Sequence, residues 1–363
     1  MLRIGIVGAG TIADTQIDCF RNFADISEVV ALCGRTLDKP KALIELKNLK
    51  ANPYDDMEKM IEAERLDIVS ICLPPTLHAE YSIKAMDMGC HVICEKPMAA
   101  SLEECDRMLE AAKRNHVLLS IVCQMRYYTQ FARLKKLLDD GVAGKVINAE
   151  IQSLWWRGGN YYEPWWRGTW EKESGGCFMS HSIHYLDLML HLLGYPKRVT
   201  GRIMNLNHNL SECEDNGYGF FEFEDFPVLF TCCLTDHSNS SRIRIDCEKA
   251  TVSAPWSVGC SDSLPTGYPT PNHEREREID SYCNSLPEME GEWHTAQFRN
   301  FLNAVLGKER LETPGEDGRR ALEMVMGIYF SSITGKPVDF PLGKDNPIYT
   351  HKGIVENMPK MNL

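Results

Sequence analysis

The chain has 363 residues, is 44% hydrophobic and 25% charged, and carries a formal net charge of −12, enough material for about two domains with well-formed cores. That acidic balance excludes a phosphate-binding surface of clustered Lys and Arg, so the expected ligand is small and nucleic acid is not a partner. No apolar run approaches the roughly 18 residues of a membrane span, and the strand-like run from residue 2 lacks the basic-then-apolar pattern of a signal peptide, so neither membrane insertion nor export is expected; the 14 cysteines are scattered without Cys-x-x-Cys pairs, the pattern of buried reduced thiols in a cytoplasmic protein.

From residue 2 to about residue 123, strand-like apolar runs alternate with amphipathic helical stretches. The clearest strands are 2–8, 29–34, 67–73, 91–95 and 117–123, with a weaker one near 51–54; helices are predicted at 11–23, 39–48, 55–65, 78–88 and 101–115. The last opens on Ser101-Leu-Glu-Glu104, a capping box. This alternation implies an α/β domain over residues 1–123 with a parallel, doubly wound sheet. Beyond it the rhythm changes to a helix at 131–140 and β-rich runs at 146–154, 198–206, 217–224, 228–235 and 242–247, with helices at 182–193, 294–306 and 318–334. The stretch 261–280, rich in Pro, Gly and charge, is read as a surface loop. Residues 124–363 are expected to form an α+β domain on an open, mainly antiparallel sheet, its C-terminal tail packing back on the first domain.

The first strand runs into Gly8-Ala9-Gly10-Thr11-Ile12-Ala13 and a helix. A glycine-rich turn in that context lets backbone approach a pyrophosphate while the helix N-terminus offers unpaired N–H groups. Ala13 replaces the third glycine of the pattern, a position concerned only with helix–strand packing. The second strand ends in Leu32-Cys-Gly34-Arg35-Thr36 without the carboxylate that would bind an adenosine ribose. Arg35 and Thr36 could instead hold a 2′-phosphate, which favours NADP; an exposed Arg over the adenine ring would tolerate either cofactor.

Lys96 lies in Val92-Ile-Cys-Glu-Lys-Pro-Met98, at the carboxyl end of its strand, where open α/β sheets place ligands. An amine there can exchange a proton with a reacting hydroxyl if burial and nearby cations lower its pKa. Pro97 restricts its backbone to extended or turn conformations. The bland alternative is a surface Lys paired with Glu95. Further along, Gly175-Gly-Cys-Phe-Met-Ser-His-Ser-Ile-His-Tyr-Leu-Asp187 puts Ser180, His184 and Asp187 on one helix face if the helix includes Ser180. His184 is then the candidate second acid/base. His181, His184 and Asp187 are adequate metal ligand types, but steps of three residues do not hold them in register, and no metal is expected. Between the two clusters, residues 154–170 hold five of the 7 tryptophans with Arg, Asn and Tyr interleaved; such a strap suits a carbohydrate or polyol, with Tyr162, Trp166 and Arg167 the preferred contacts, though aromatic packing or a subunit contact fits most of its members as well.

Taken together, Gly8-Ala-Gly10, Glu95-Lys-Pro97, the Trp166-Arg167 pair and Gly175-Gly176 leading to His184 and Asp187 resemble the Gfo/Idh/MocA family of nicotinamide-dependent oxidoreductases, and the likeness extends to Leu73-Pro-Pro-Thr-Leu-His78 and Gly318-Arg-Arg-Ala-Leu322. The resemblance covers nearly the whole chain. It implies a Rossmann domain, an α+β domain whose open sheet mediates dimers or tetramers, and an active site between them, with Lys96 as acid/base beside the nicotinamide and His184 acting on the reacting hydroxyl or carbonyl. Many members carry Asp where this chain has Ser180; a hydroxyl cannot supply a carboxylate's charge, and His181 is a candidate to compensate.

The expected activity is hydride transfer between NADP or NAD and a secondary alcohol or ketone of a sugar, inositol or related polyol. A redox-neutral glycoside-cleaving enzyme using transient sugar oxidation and a non-catalytic nucleotide sensor are the alternatives. The cofactor contacts expected are Gly8, Gly10, Thr11, Ile12, Gly34, Arg35, Thr36, Leu73, Pro74, His78, Glu95, Lys96, Trp166 and Arg167, and the substrate contacts Lys96, Arg126, Tyr162, Ser180, His181 and His184. The partners expected are a small carbohydrate-like substrate and further copies of the chain, as a homodimer or homotetramer.

Overall fold

In the computed structural model, which describes residues 1–361, six strands form one parallel sheet: β1 (Leu2–Val7), β2 (Ser27–Cys33), β3 (Asn52–Tyr54), β4 (Ile68–Ile71), β5 (His91–Cys94) and β6 (Leu119–Ile121). Helices α1 (Thr11–Arg21), α2 (Asp38–Leu46), α3 (Met57–Glu64), α4 (Pro75–Asp87) and α5 (Leu102–Asn115) supply the crossovers. The strand order is β3-β2-β1-β4-β5-β6. It reverses between β1 and β4, and a crevice opens outside the strand ends at such a point. The central strands are apolar on both faces, as β4 shows with all of its residues buried, because helices cover the sheet twice. At α5, Ser101 caps as predicted, accepting from Glu104 N at 3.3 Å, while the Glu104 carboxylate reaches Ala100 N at 2.9 Å, one residue short of a closed box.

The chain continues through α6 (Thr129–Asp139), β7 (Val146–Leu154), α7 (Ile183–Leu193), β8 (Arg198–Met204), β9 (Asn216–Glu222), β10 (Pro227–Cys233), β11 (Arg242–Cys247), β12 (Thr251–Ala254) and β13 (Ser257–Gly259). A hairpin of β14 (Ser261–Ser263) and β15 (Pro269–Pro271), helices α8 (His273–Ser285), α9 (Trp293–Val305) and α10 (Gly315–Thr334), β16 (Val338–Asp339) and α11 (His351–Asn357) complete it. Eight strands form the second sheet in the order β13-β12-β11-β7-β10-β9-β8-β16, parallel only between β7 and β10. Alternation along β8, β9 and β10 turns Val199, Phe221 and Phe230 inward, where α7 and α10 cover them, and leaves Tyr218, Phe220 and Leu229 exposed on the outer face.

Two sequence expectations change. The supposed loop 261–280 is the β14–β15 hairpin followed by the first part of α8, whose N-cap Asn272 accepts from Arg275 N at 2.9 Å. Only Ile279 and Cys283, one turn apart, are buried on that helix, too narrow an apolar stripe to register as helical periodicity. Helix α9, grouped with the second domain from its position in the sequence, packs on the first sheet. Its Phe298 ring lies 4.6 Å from that of Phe20 on α1, and Gln297 accepts from Cys123 N at 3.1 Å while donating to Ile121 O at 2.8 Å. Near the C-terminus, Tyr349 O accepts from Glu103 N on α5 at 3.1 Å, so the tail rests on the first sheet's outer helix.

Candidate active site

A cleft of about 580 Å³ lies where the parallel sheet's strand ends meet the strap and α7. On its nucleotide side, Gly8 leaves β1 at φ +108, and a Cβ there would come within 2.2 Å of Cys72 O. Only glycine permits that approach between the ends of β1 and β4. Gly10 is the N-cap of α1 with extended backbone, no side-chain cap and open space around it. The first-turn N–H groups of α1 are thus left without a side-chain acceptor, and Thr11 and Ile12 line the cleft. This cradle fits a pyrophosphate. Leu73, Pro74, Glu95, Lys96, Trp166 and Arg167 line the same cleft. Gly34, Arg35 and Thr36 lie beyond it, past the end of β2; Arg35 and Thr36 are exposed, and Arg35 makes no ion pair among the described residues. His78, expected as a cofactor contact, is completely buried instead, its ring nitrogens 2.7 Å from Leu73 O and 2.8 Å from Pro97 O. It ties the two cleft-lining turns together, and burial lowers its pKa.

Lys96 stands at the centre. The preceding Glu95 is buried and accepts from Gln16 at 2.7 Å, with burial raising its pKa. Lys96 Nζ donates to the backbone carbonyl of Ser180 at 3.0 Å. Burial lowers the Lys96 pKa first; the positive charges of Arg167 and Arg157 push the same way, against the opposing pull of Glu95 and Glu173.

Ser180 sits in a π-helical turn, Phe178–Ser182, that leads into α7. Despite the wider turn, Ser180, His181 and His184 all line the cleft, whereas Asp187 does not. The Ser180 hydroxyl donates to Gly176 O at 2.8 Å and lies 2.8 Å from His181 Nδ1. With its one proton on Gly176, the hydroxyl would accept from a protonated His181 Nδ1, the tautomer that leaves Nε2 as an acceptor. Both His181 and His184 are held well below the usual histidine pKa, by burial first and then by neighbouring cations, among them Lys96; at neutral pH both rings are uncharged. Asp187 turns away to Arg126, at 2.5 and 2.9 Å. Arg126 also binds Asp317 at 2.8 Å and Glu312 O at 3.1 Å, so it is placed outside the cleft rather than among the substrate contacts. A guanidinium so deeply buried has to be matched by carboxylates.

The strap contributes Trp155, Arg157, Tyr161, Trp166 and Arg167 to the cleft. Tyr162 is not among them; it is 5% exposed and packs its ring 5.0 Å from that of His208. Adjacent residues of the 3-10 turn Gly159–Tyr162 point in different directions, and composition cannot choose between them. The Arg167 guanidinium lies 3.9 Å from the Tyr161 ring and 4.2 Å from that of Trp166. It pairs with Glu173 at 3.0 Å.

Glu173 was not among the sequence candidates. It is buried, accepts from Gly168 N at 2.6 Å, lines the cleft, and is pushed up to about 7 chiefly by burial. An acid immediately before Ser174-Gly175-Gly176 was the signal available. Behind the turn, Glu214 accepts from Gly176 N and Phe178 N, each at 3.0 Å, and from the Tyr329 hydroxyl at 2.6 Å. A Cβ on Gly176 would lie 1.9 Å from Glu214 O, which is what glycine serves there. Among the described residues no three His, Cys, Asp or Glu side chains converge as a metal set, no helix is long and apolar enough to cross a membrane, and the fourteen cysteines are free and buried.

Comparisons with known proteins give a consistent answer. Residues 2–122 match the profile of the GFO_IDH_MocA oxidoreductase family, NAD-binding Rossmann fold, and residues 131–253 match the GFO/IDH/MocA C-terminal domain. D-glucoside 3-dehydrogenase of Escherichia coli (strain K12) is 28% identical over 93% of this chain and 97% of its own length. An NADP(+)-dependent scyllo-inositol 2-dehydrogenase of Bacillus subtilis is 26% identical over 68% of this chain and 65% of its own. The solved structure of the WlbA dehydrogenase from Bordetella pertussis, in complex with NADH and UDP-GlcNAcA, has a TM-score of 0.81 at 26% identity, covering 94% of this chain and 98% of that one.

Proposed function

The chain belongs to the GFO/IDH/MocA family of oxidoreductases and is an NAD(P)-dependent dehydrogenase of CH–OH groups; from that premise we propose that it interconverts a secondary alcohol and ketone on a sugar, inositol or related polyol, with Lys96 handling the proton. The observation that carries this reading is the position of Lys96 Nζ, in the cleft between the glycine turn and the strap, with burial, Arg167 and Arg157 all favouring its neutral form.

When bound, the nicotinamide supplies the two-electron acceptor or donor. In the oxidation direction the neutral Lys96 amine takes the proton of the reacting hydroxyl as the carbon becomes a carbonyl, and in the reverse direction the ammonium returns it. His184 has so low a proton affinity that it orients the hydroxyl as a neutral ring while Lys96 moves the charge. The carboxylate missing at Ser180 is replaced electrostatically by Glu95 and Glu173, the two acids that act on Lys96. Arg35 and Thr36, exposed at the end of β2 where the ribose-binding carboxylate would stand, favour a 2′-phosphate and hence NADP. Subunits pair through the outer face of the eight-stranded sheet, where Tyr218, Phe220 and Leu229 are exposed.

The test is Lys96→Met in a screen of sugars, inositols and their glycosides with both cofactors, read by nicotinamide absorbance and product identity. Turnover is expected to fall by about 10²- to 10⁴-fold with cofactor affinity retained. A fully active variant would remove Lys96 from the chemistry.

A further inference from the structure

Charges on the strap side of the cleft are unevenly matched. Arg167 has Glu173 as its ion-pair partner, and Lys96 has Ser180 O and the field of two acids. Arg157 has no carboxylate among the described residues; the one hydrogen bond its guanidinium makes runs from Nη1 to Trp156 O at 2.7 Å. In a chain of net charge −12 an uncompensated guanidinium lining the main cleft is conspicuous.

Its setting is ordered. Arg157 N donates to Leu234 O at 3.0 Å. Its carbonyl lies 2.9 Å from Nε2 of His208, whose Nδ1 is 2.7 Å from the buried Asp215 carboxylate. With Asp215 accepting at Nδ1, the ring can donate to Arg157 only when both nitrogens are protonated, and the Asp215 hydrogen bond raises the His208 pKa in that direction. The guanidinium carbon lies 5.8 Å from the Trp155 ring centroid and 5.5 Å from that of Tyr161. Those two rings, like Arg157, line the cleft on the same side as His181, and Arg157 contributes to holding His181 neutral.

A half-buried guanidinium oriented by backbone and aromatic faces, with most of its donors unused, matches the planar oxygens of a carboxylate or phosphate better than a sugar hydroxyl, which returns a hydrogen bond but no charge. We propose that Arg157 is a specificity determinant for an anionic sugar: the substrate carries a carboxylate or phosphate held by Arg157 while its reacting carbinol faces Lys96. This rests on the dehydrogenase reading above and narrows its substrate class.

The test is calorimetric titration of the NADPH-loaded enzyme with D-glucuronate, D-glucose 6-phosphate and D-glucose, for wild type, Arg157→Gln and Arg157→Lys. Wild type is expected to bind at least one acid about 10- to 100-fold more tightly than D-glucose, and whichever acid binds tells a carboxylate from a phosphate. Arg157→Gln should lose that margin, weakening the acids far more than D-glucose or NADPH, and Arg157→Lys should retain part of it, which a misfolded variant could not do. Equal affinity for acids and D-glucose in wild type, binding of neither acid, or an Arg157→Gln variant that weakens D-glucose or NADPH as much as the acids overturns the proposal. Titration needs no turnover. The dehydrogenase reading fails separately, if no sugar of either kind reduces NAD or NADP.

Discussion

The nucleotide side of the cleft is made of backbone and the opposite side of side chains. At Gly8, Gly10 and the first turn of α1 the useful groups are N–H donors and the space left where a Cβ would be. Across the cleft, Trp155, Arg157, Tyr161, Arg167 and Glu173 contribute rings and charges brought together from a strap and a π-turn. The difference has a consequence for variation. A backbone cradle accepts any cofactor with a pyrophosphate and is damaged mainly by steric intrusion, whereas a side-chain wall can be re-specified one residue at a time without disturbing the sheet behind it.

Substitutions on either side should therefore separate cleanly. The largest effect after Lys96→Met is expected from His184→Asn, which should lower kcat by about 10²-fold through lost orientation and leave cofactor binding intact; a parallel loss of cofactor affinity would mean that the two sides are not independent. Arg35→Ala, on the nucleotide side, should reduce the kcat/KM preference for NADP over NAD by about tenfold without changing which sugar is oxidised. A preference that does not move would assign Arg35 to solvent. The smallest effect is a displacement along the pH axis. Arg167 disfavours the ammonium form of Lys96, so in Arg167→Met the amine keeps its proton to higher pH, and the rising limb of kcat/KM for oxidation, which needs the neutral amine, should shift to higher pH. A limb that stays in place, or moves to lower pH, would separate Lys96 from that titration.

The same contrast governs what could be read without coordinates. The βαβ rhythm, the glycine turn and the position of Lys96 at a strand end depend on periodicity and local backbone preference, and the structure has each of them: β1 runs into Gly8, α1 starts at Thr11, and β5 ends just before Glu95. The strap was legible as a segment but not residue by residue. Tyr161 faces the cleft and Tyr162 the core. The helical spacing of Ser180, His184 and Asp187 suggests a polar face; Ser180 and His184 do line the cleft together, but the need to neutralise a buried Arg126 draws Asp187 elsewhere.

By itself, then, the sequence determined the two-sheet architecture, the cofactor turn and the lysine, because each follows from interactions among residues near in the chain or from a repeating pattern of burial. Only the tertiary structure decided the electrostatics of the site: that Arg167 is matched by Glu173, that Arg126 is spent on Asp187 and Asp317, and that Arg157 has no carboxylate beside it among the described residues. Charge pairing depends on distances between segments remote in sequence and on how much water remains between them, and neither quantity is written in the order of the residues.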